Sequence, residues 1–256
     1  MLGSMPSERP DPQLTINALL EASDRPHLPL AKTFVQQRNA KGKGRPGPLA
    51  NFIAKHHERA LRQYLLCHAV ASGGDWGAAY PSQVWARGLR LDGTQLSARN
   101  AVSRNWAWLE EARLIDRGRM GRDAKITLLY DDGSGDPYCH PHHRKPRERF
   151  LTLPYAFWRQ GWDGKLDLPG IAVLLILLHE KPGYVPLVAE RMPDWYGIST
   201  STFEKGVQTL RRNDLLERRR DKVDAPLSDT GFTFVYRYRL LDAFERQEGK
   251  EAGKSD

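Results

Sequence analysis

The sequence predicts a mainly α-helical α+β protein, built as two small units in tandem that each end in a β-hairpin. Apolar residues recur at helical spacings of three and four in residues 51–135 and again in 151–242. Each region then runs into two strand-like stretches around a glycine-containing turn. The two regions also repeat one another at an offset of 101 residues. A chain of 256 residues suffices for one large domain or two small ones.

Residues 1–50 hold Pro6, Pro10, Pro12, Pro26, Pro29, Pro46 and Pro48, and read as a basic, Pro-rich N-terminal arm with a short helix around Gln13–Ala22. Met1–Ser4, ahead of a second methionine, reads as a cloning remnant. In residues 51–135, an apolar helix is expected over Ala60–Ala71 and a shorter one over Pro81–Gly88. A third helix follows from Ser97. Leu114–Arg119 then pairs with Lys125–Tyr130 around Met120-Gly121-Arg122-Asp123. Asp131–Pro137 is rich in breakers, Asp131 and Asp132 are expected to be solvated, and residues 136–150 read as a linker. In residues 151–242, Phe150–Trp158 is a strand-and-turn lead-in. Gly170–His179 is the next helix, with Pro169 suited to its first turn, and Val188–Tyr196 a shorter one. The second hairpin pairs Leu215–Arg220 with Phe232–Leu241 around a turn holding Pro226 and Gly231. Residues 243–256 form a polar tail expected to fray.

The repeat is sharpest in its third helices. Val102, Trp106 and Leu109 of the first copy align with Phe203, Val207 and Leu210 of the second. Leu114-Ile115 aligns with Leu215-Leu216, and an acidic residue and an arginine follow in both. The order helix, helix, turn, helix, hairpin, the Gly197-Ile198-Ser199 turn and the Leu215-Leu216-Glu217 run resemble bacterial winged-helix (helix-turn-helix) DNA-binding proteins. The resemblance implies two winged-helix domains in tandem, each with a recognition helix in the major groove and a wing against the backbone.

Under that resemblance the solvent-facing residues of each third helix become candidate DNA readers. In the first copy these are Arg99, Asn100, Ser103 and Arg104; arginine suits guanine and asparagine suits adenine. In the second they are Thr200, Ser201, Lys205 and Gln208, beside Glu204, a less basic set that makes the first domain the stronger reader. The wings add Arg117, Arg119, Arg122 and Lys125, and Arg218, Arg219 and Arg220, as candidate phosphate contacts. Because strand residues alternate between faces, only part of each run can meet DNA together. In the arm, Lys41, Lys43 and Arg45 lie in a Lys-Gly-Arg-Pro segment similar to the core of AT-hook segments, which implies a minor-groove contact.

Composition points the same way. The net charge is +8, and the positive excess concentrates in the first 150 residues, which makes nucleic acid the leading partner class. The longest apolar run, Ile171–Leu178, is far short of the roughly 20 residues that span a bilayer, so no membrane partner is expected. Two cysteines, Cys67 and Cys139, fit a reducing cytoplasm. Cys139, His140, His142 and His143 fall within five residues around Pro141, unlike the separated ligand pairs of a structural zinc site, and read as part of the linker. No phosphate-binding glycine loop, nucleophile elbow or paired-carboxylate site is visible, so neither an enzyme, a cofactor nor a small-molecule ligand is expected. Trp106, Trp158, Trp162 and Trp195 fall at core-like positions.

The function expected is therefore sequence-specific binding of double-stranded DNA, as a transcriptional regulator in the cytoplasm on the nucleoid, with homodimerisation left open. Two other uses remain. One is a plasmid or phage replication initiator or partition protein on repeated sites; the other is a winged-helix interaction or dimerisation module.

Overall fold

The computed structural model describes residues 11–23, 25–38, 44–71, 74–140, 143 and 149–246. Asp11 starts the first helix by accepting a hydrogen bond from the Gln13 N–H at 2.9 Å, and Pro12 occupies the first turn, where its missing N–H costs nothing. That helix, α1 (Pro12–Glu21), buries Ile16, Leu19 and Leu20. Strand β1 (His27–Ala31) follows, then a 3-10 turn over Lys32–Phe34, and a small antiparallel pair of β2 (Gln36–Arg38) with β3 (Gly44–Pro46). Helix α2 (Leu49–Ala54) completes the segment.

This region was expected to be an arm, and its described part is instead core. Leu28, Leu30, Phe34, Leu49 and Phe52 are fully buried. The prolines punctuate the segment without unfolding it: Pro12 opens α1, Pro26 precedes β1 and Pro48 caps α2. β1 is completed from far along the chain, since Leu28 and Leu30 pair with Leu153 and Leu151 of the antiparallel strand Phe150–Pro154.

The first repeat comprises α3 (Glu58–Val70), β4 (Gly77–Ala79), α4 (Ser82–Gly88), α5 (Gln95–Glu111), β5 (Ile115–Met120) and β6 (Asp123–Leu128), with strand order β4-β6-β5. Strand β7 (Phe150–Pro154) and two short helices, α6 (Ala156–Arg159) and α7 (Trp162–Lys165), lead into the second. That repeat comprises α8 (Leu168–His179), β8 (Val185–Pro186), a 3-10 turn over Ala189–Arg191, α9 (Met192–Tyr196), α10 (Thr200–Arg212), β9 (Leu216–Asp224) and β10 (Phe232–Leu240). Its strand order is β8-β10-β9, the same as before.

The repetition reaches single hydrogen bonds. Both third helices end on a non-glycine residue in the left-handed region, Arg113 at φ 57° and Asp214 at φ 57°. In both, the next leucine N–H turns back to the helix at 3.0 Å, from Leu114 to the Leu109 carbonyl and from Leu215 to that of Leu210. Left-handed backbone at a side-chain-bearing residue is uncommon, so its recurrence at the 101-residue offset reports the same turn built twice.

One continuous apolar cluster runs through both repeats and the N-terminal segment. At its centre is α8, the long apolar run, whose residues Ile171–Leu178 are all buried. It packs against α10, β7, β10 and α2, and a helix surrounded in this way is apolar all round. Its C-terminal carbonyls are covered by cations from both ends of the chain. Lys32 donates to the His179 carbonyl, and Arg246 donates to those of Leu177, Leu178 and Glu180. The start of the presumed tail is thus fixed, with Phe244 fully buried; residues 247–256 lie outside the described residues.

The stretch after β6 also differs from expectation. Asp131 is fully buried, not solvated. Its carboxyl accepts from the Ala31 N–H and the Tyr64 hydroxyl, each at 2.7 Å, and lies 3.0 Å from Nε2 of His68. Tyr138, in the expected linker, is buried edge-on against His68 and Trp76. Trp106 and Trp158 are buried, and Trp162 and Trp195 pack on the core from its rim. Among the described residues, no helix is long and apolar enough to cross a membrane.

Candidate nucleic-acid interface

Each repeat holds its third helix by an apolar stripe and a side-chain cap, which leaves the opposite face to solvent. In α5 the stripe is Ala98, Ala101, Val102, Trp106 and Leu109, and Thr94 accepts from the Ser97 N–H at 3.2 Å. The buried Gln63 of α3 adds a polar tie, donating to the Val102 carbonyl and accepting from Asn105. In α10 the stripe is Phe203, Gly206, Val207 and Leu210, and Ser199 accepts from the Thr202 N–H at 3.1 Å. Gly206 lets α10 cross close to α8, since a Cβ there would lie 2.8 Å from the Pro169 carbonyl carbon.

Arg99, Asn100, Ser103 and Arg104 are all exposed on α5, and among the described residues none is tied to a carboxylate. They flank Leu96, a large apolar side chain 68% exposed in the first turn. Leu96 was missed as a candidate because the helix starts at Gln95, ahead of the expected Ser97. An apolar group there can contact a thymine methyl.

On α10, Ser201, Lys205 and Gln208 are exposed. Thr200 is turned inward, its hydroxyl donating to the Ala189 carbonyl at 3.2 Å, and the Ser201 hydroxyl lies 3.0 Å from that of Ser199. Thr200 therefore serves the turn before the helix.

The wings sort by strand face. Arg117 folds back onto α5, with its Nε donating to Glu110 at 2.6 Å, and Lys125 pairs with Asp75. Arg119 and Arg122 are exposed and have no carboxylate partner among the described residues. In the second wing, Arg219 lies 2.8 Å from Asp221 and 4.2 Å from the centre of the Tyr184 ring. Arg237 and Arg239 share that carboxylate-bearing face, bound to Asp221 and Glu217. Hydrogen bonds from Tyr184 and then Arg239 hold the Glu217 carboxyl below the usual carboxylate range. Arg218 and Arg220 point to the other face.

Arg45 is exposed on β3, paired with Gln37, so it belongs to a hairpin and not to an extended arm; Lys41 and Lys43 lie outside the described residues. That hairpin docks on the second repeat. Pro46 lies where a side chain on Gly197 would go, and Gln36 donates to the Trp195 carbonyl at 3.0 Å. Gly197, at φ 67°, is the turn between α9 and α10. His140 packs near Trp76 and Phe150 and Cys139 is half-buried, while His142 lies outside the described residues. Among the described residues, no group of His, Cys, Asp and Glu is arranged to hold a metal ion.

No protein-family model, no curated protein and no solved structure matches the chain.

Proposed function

We propose that the two repeats are winged-helix units and that the chain binds double-stranded DNA in a sequence-specific way, as a non-enzymatic transcriptional regulator acting on the nucleoid. The observation that carries this reading is the duplicated order of helix, strand, helix, helix and hairpin, with the third helix of each copy presenting an exposed polar face. In this reading α5 is the main reader. Arg99 and Asn100 offer bidentate pairing to guanine and adenine, Ser103 and Arg104 flank them, and Leu96 adds an apolar contact. Arg119 and Arg122 supply phosphate contacts from the first wing. On α10, Ser201, Lys205 and Gln208 form a second reader, so one chain can act as a pseudo-dimer on two successive major grooves, about 34 Å apart.

Selection of bound sites from a random duplex library, followed by a salt titration on the best site, tests this. Two half-sites about one helical turn apart are expected, with affinity falling steeply as salt rises. An inverted repeat fits a regulator; tandem direct repeats assign the chain to replication or partition instead. No enriched motif overturns sequence-specific reading.

A further inference from the structure

The second wing carries a pattern that duplex reading does not require. On β9, Arg218, Arg220 and Lys222 occupy alternate positions, and so share one face of the strand. Opposite them on β10, Phe232, Phe234 and Tyr236 share the same face, because Tyr236 pairs with Arg220 and Phe234 with Lys222. The cations lean diagonally onto the rings: Arg218 lies 4.7 Å from the centre of Tyr236, Arg220 3.5 Å from Phe234 and Lys222 3.8 Å from Phe232. Among the described residues none of these three cations has a carboxylate partner, whereas Arg219, Arg237 and Arg239 on the other face all do.

Two of the rings remain open to solvent although they are aromatic, Phe234 at 44% and Tyr236 at 41%, while Phe232 is half-buried. They border a groove of about 510 Å³ between the wing and α10, walled also by Val207, Gln208 and Arg211. Glu190 and Glu204 line the same groove and disfavour phosphate there, which leaves the phosphate track to the Arg218–Lys222 edge.

We infer that this face of the second wing is a binding platform for single-stranded DNA, with unpaired bases stacking on Tyr236, Phe234 and Phe232 and the backbone running along Arg218, Arg220 and Lys222. A cation covers one face of each ring, and Phe234 and Tyr236 keep exposed area, so a base stacks by taking the other face or by displacing the cation toward its own phosphate. Aromatic rings alternating with cations that no carboxylate neutralises are the two components of sequence-tolerant single-strand binding. The spacing selects the ligand's form. The Phe232 and Phe234 rings lie edge to face, with centroids 5.7 Å apart and planes at 85°, against the roughly 3.4 Å rise of parallel, stacked nucleotides in a duplex. Bases stacked on rings so spaced and tilted cannot also stack on one another, which an unpaired strand allows and a duplex does not. The inference rests on the wing's own geometry and not on duplex reading by α5.

The test measures binding of the full chain to labelled oligothymidylate of about 15 nucleotides, within the site sizes of single-strand binders, beside its selected duplex. Wild-type chain is expected to bind the oligothymidylate. Phe234→Ala and Tyr236→Ala should each weaken that binding on the order of tenfold, while Tyr236→Phe keeps the ring and the affinity. The alanine variants should leave duplex affinity within about twofold and the unfolding midpoint unchanged, since both side chains lie outside the core. In the wild-type chain, an oligonucleotide carrying 5-iododeoxyuridine should cross-link under ultraviolet light within residues 232–238, a result that needs no variant to fold. No binding of oligothymidylate at low salt, equal binding by the double alanine variant, or cross-links only elsewhere would each overturn the inference. A chain that binds oligothymidylate but selects no duplex site keeps this platform and loses the regulator reading; the reverse result loses the platform alone.

Discussion

Replacing Asp131 with alanine should be among the most damaging single changes in this chain, although the residue lies on neither candidate interface. Its carboxyl is the acceptor for the Ala31 N–H and the Tyr64 hydroxyl and lies beside Nε2 of His68, all at 3.0 Å or less in a site closed to water. A buried polar group that loses its partner costs about 1–3 kcal/mol, so three of them give about 3 kcal/mol at the least and about 9 at most. Against a typical total of roughly 5–15 kcal/mol, even the lower figure is a large share. Asp131→Asn keeps the volume and can still accept from Ala31. Its amide can donate to the Tyr64 oxygen once that hydroxyl turns away, so it should cost clearly less than alanine. Urea unfolding followed by tryptophan fluorescence measures both. Hydrogen exchange adds a local check, since the Ala31 amide should lose protection before amides in α8. An alanine variant within about 0.5 kcal/mol of wild type, the range of ordinary surface changes, would refute the reasoning, as would asparagine proving worse than alanine.

Other outcomes follow from the helix crossing, the acid–base pairs and the reading face. Gly206→Ala should destabilise the chain by about 1–3 kcal/mol in the same urea assay, because the new methyl meets the Pro169 carbonyl and the Val173 side chain. Glu180 is held below its usual pKa, first by its hydrogen bond to His179 and also by that from Tyr196, against the opposing effect of burial. Its stabilising contribution is therefore present above the unfolded carboxyl pKa of about 4.3 and is lost as pH falls through the folded value. Glu180→Gln should flatten the decline of the urea midpoint between about pH 5 and pH 3; an unchanged decline would count against this assignment. Arg99→Ala or Asn100→Ala should cost about 1–3 kcal/mol on the selected duplex and relax preference at one base pair, as read by competition with single-base variants of the site. Arg122→Ala should instead weaken all duplexes alike and reduce the salt slope by about one.

The repeat was legible in the sequence because burial in a helix imposes a fixed period. Val102, Trp106 and Leu109 and their counterparts Phe203, Val207 and Leu210 are all buried where that period places them. The first turn was legible too: Gly121 at φ 62° and Arg122 join β5 to β6 inside the expected four residues. The N-terminal fold was not, because Leu28 and Leu30 become core only by pairing with Leu153 and Leu151, more than a hundred residues on. Asp131 gave no local sign for a similar reason, since its three partners come from β1 and α3. On the second wing the residue types were visible but their companionship was not. β9 runs on to Asp224, past the expected Arg220, and only the register of that longer pairing shows which cations face which rings.

The pairing of β1 with β7, and the seating of α2 on α8, make the two repeats one solid body and not two beads on a tether. If the chain reads two half-sites as proposed, this makes the joint a ruler with a fixed twist. Adding a single base pair between the half-sites would swing one away by roughly 35° about the duplex axis and shift it by about 3.4 Å. Flexibly linked readers would tolerate that through their effective concentration, but a rigid pair has to strain either the DNA or its own core. Affinity plotted against spacer length should therefore oscillate with the helical repeat, and loosening the Asp131 anchor should damp the oscillation even where each reading helix is untouched.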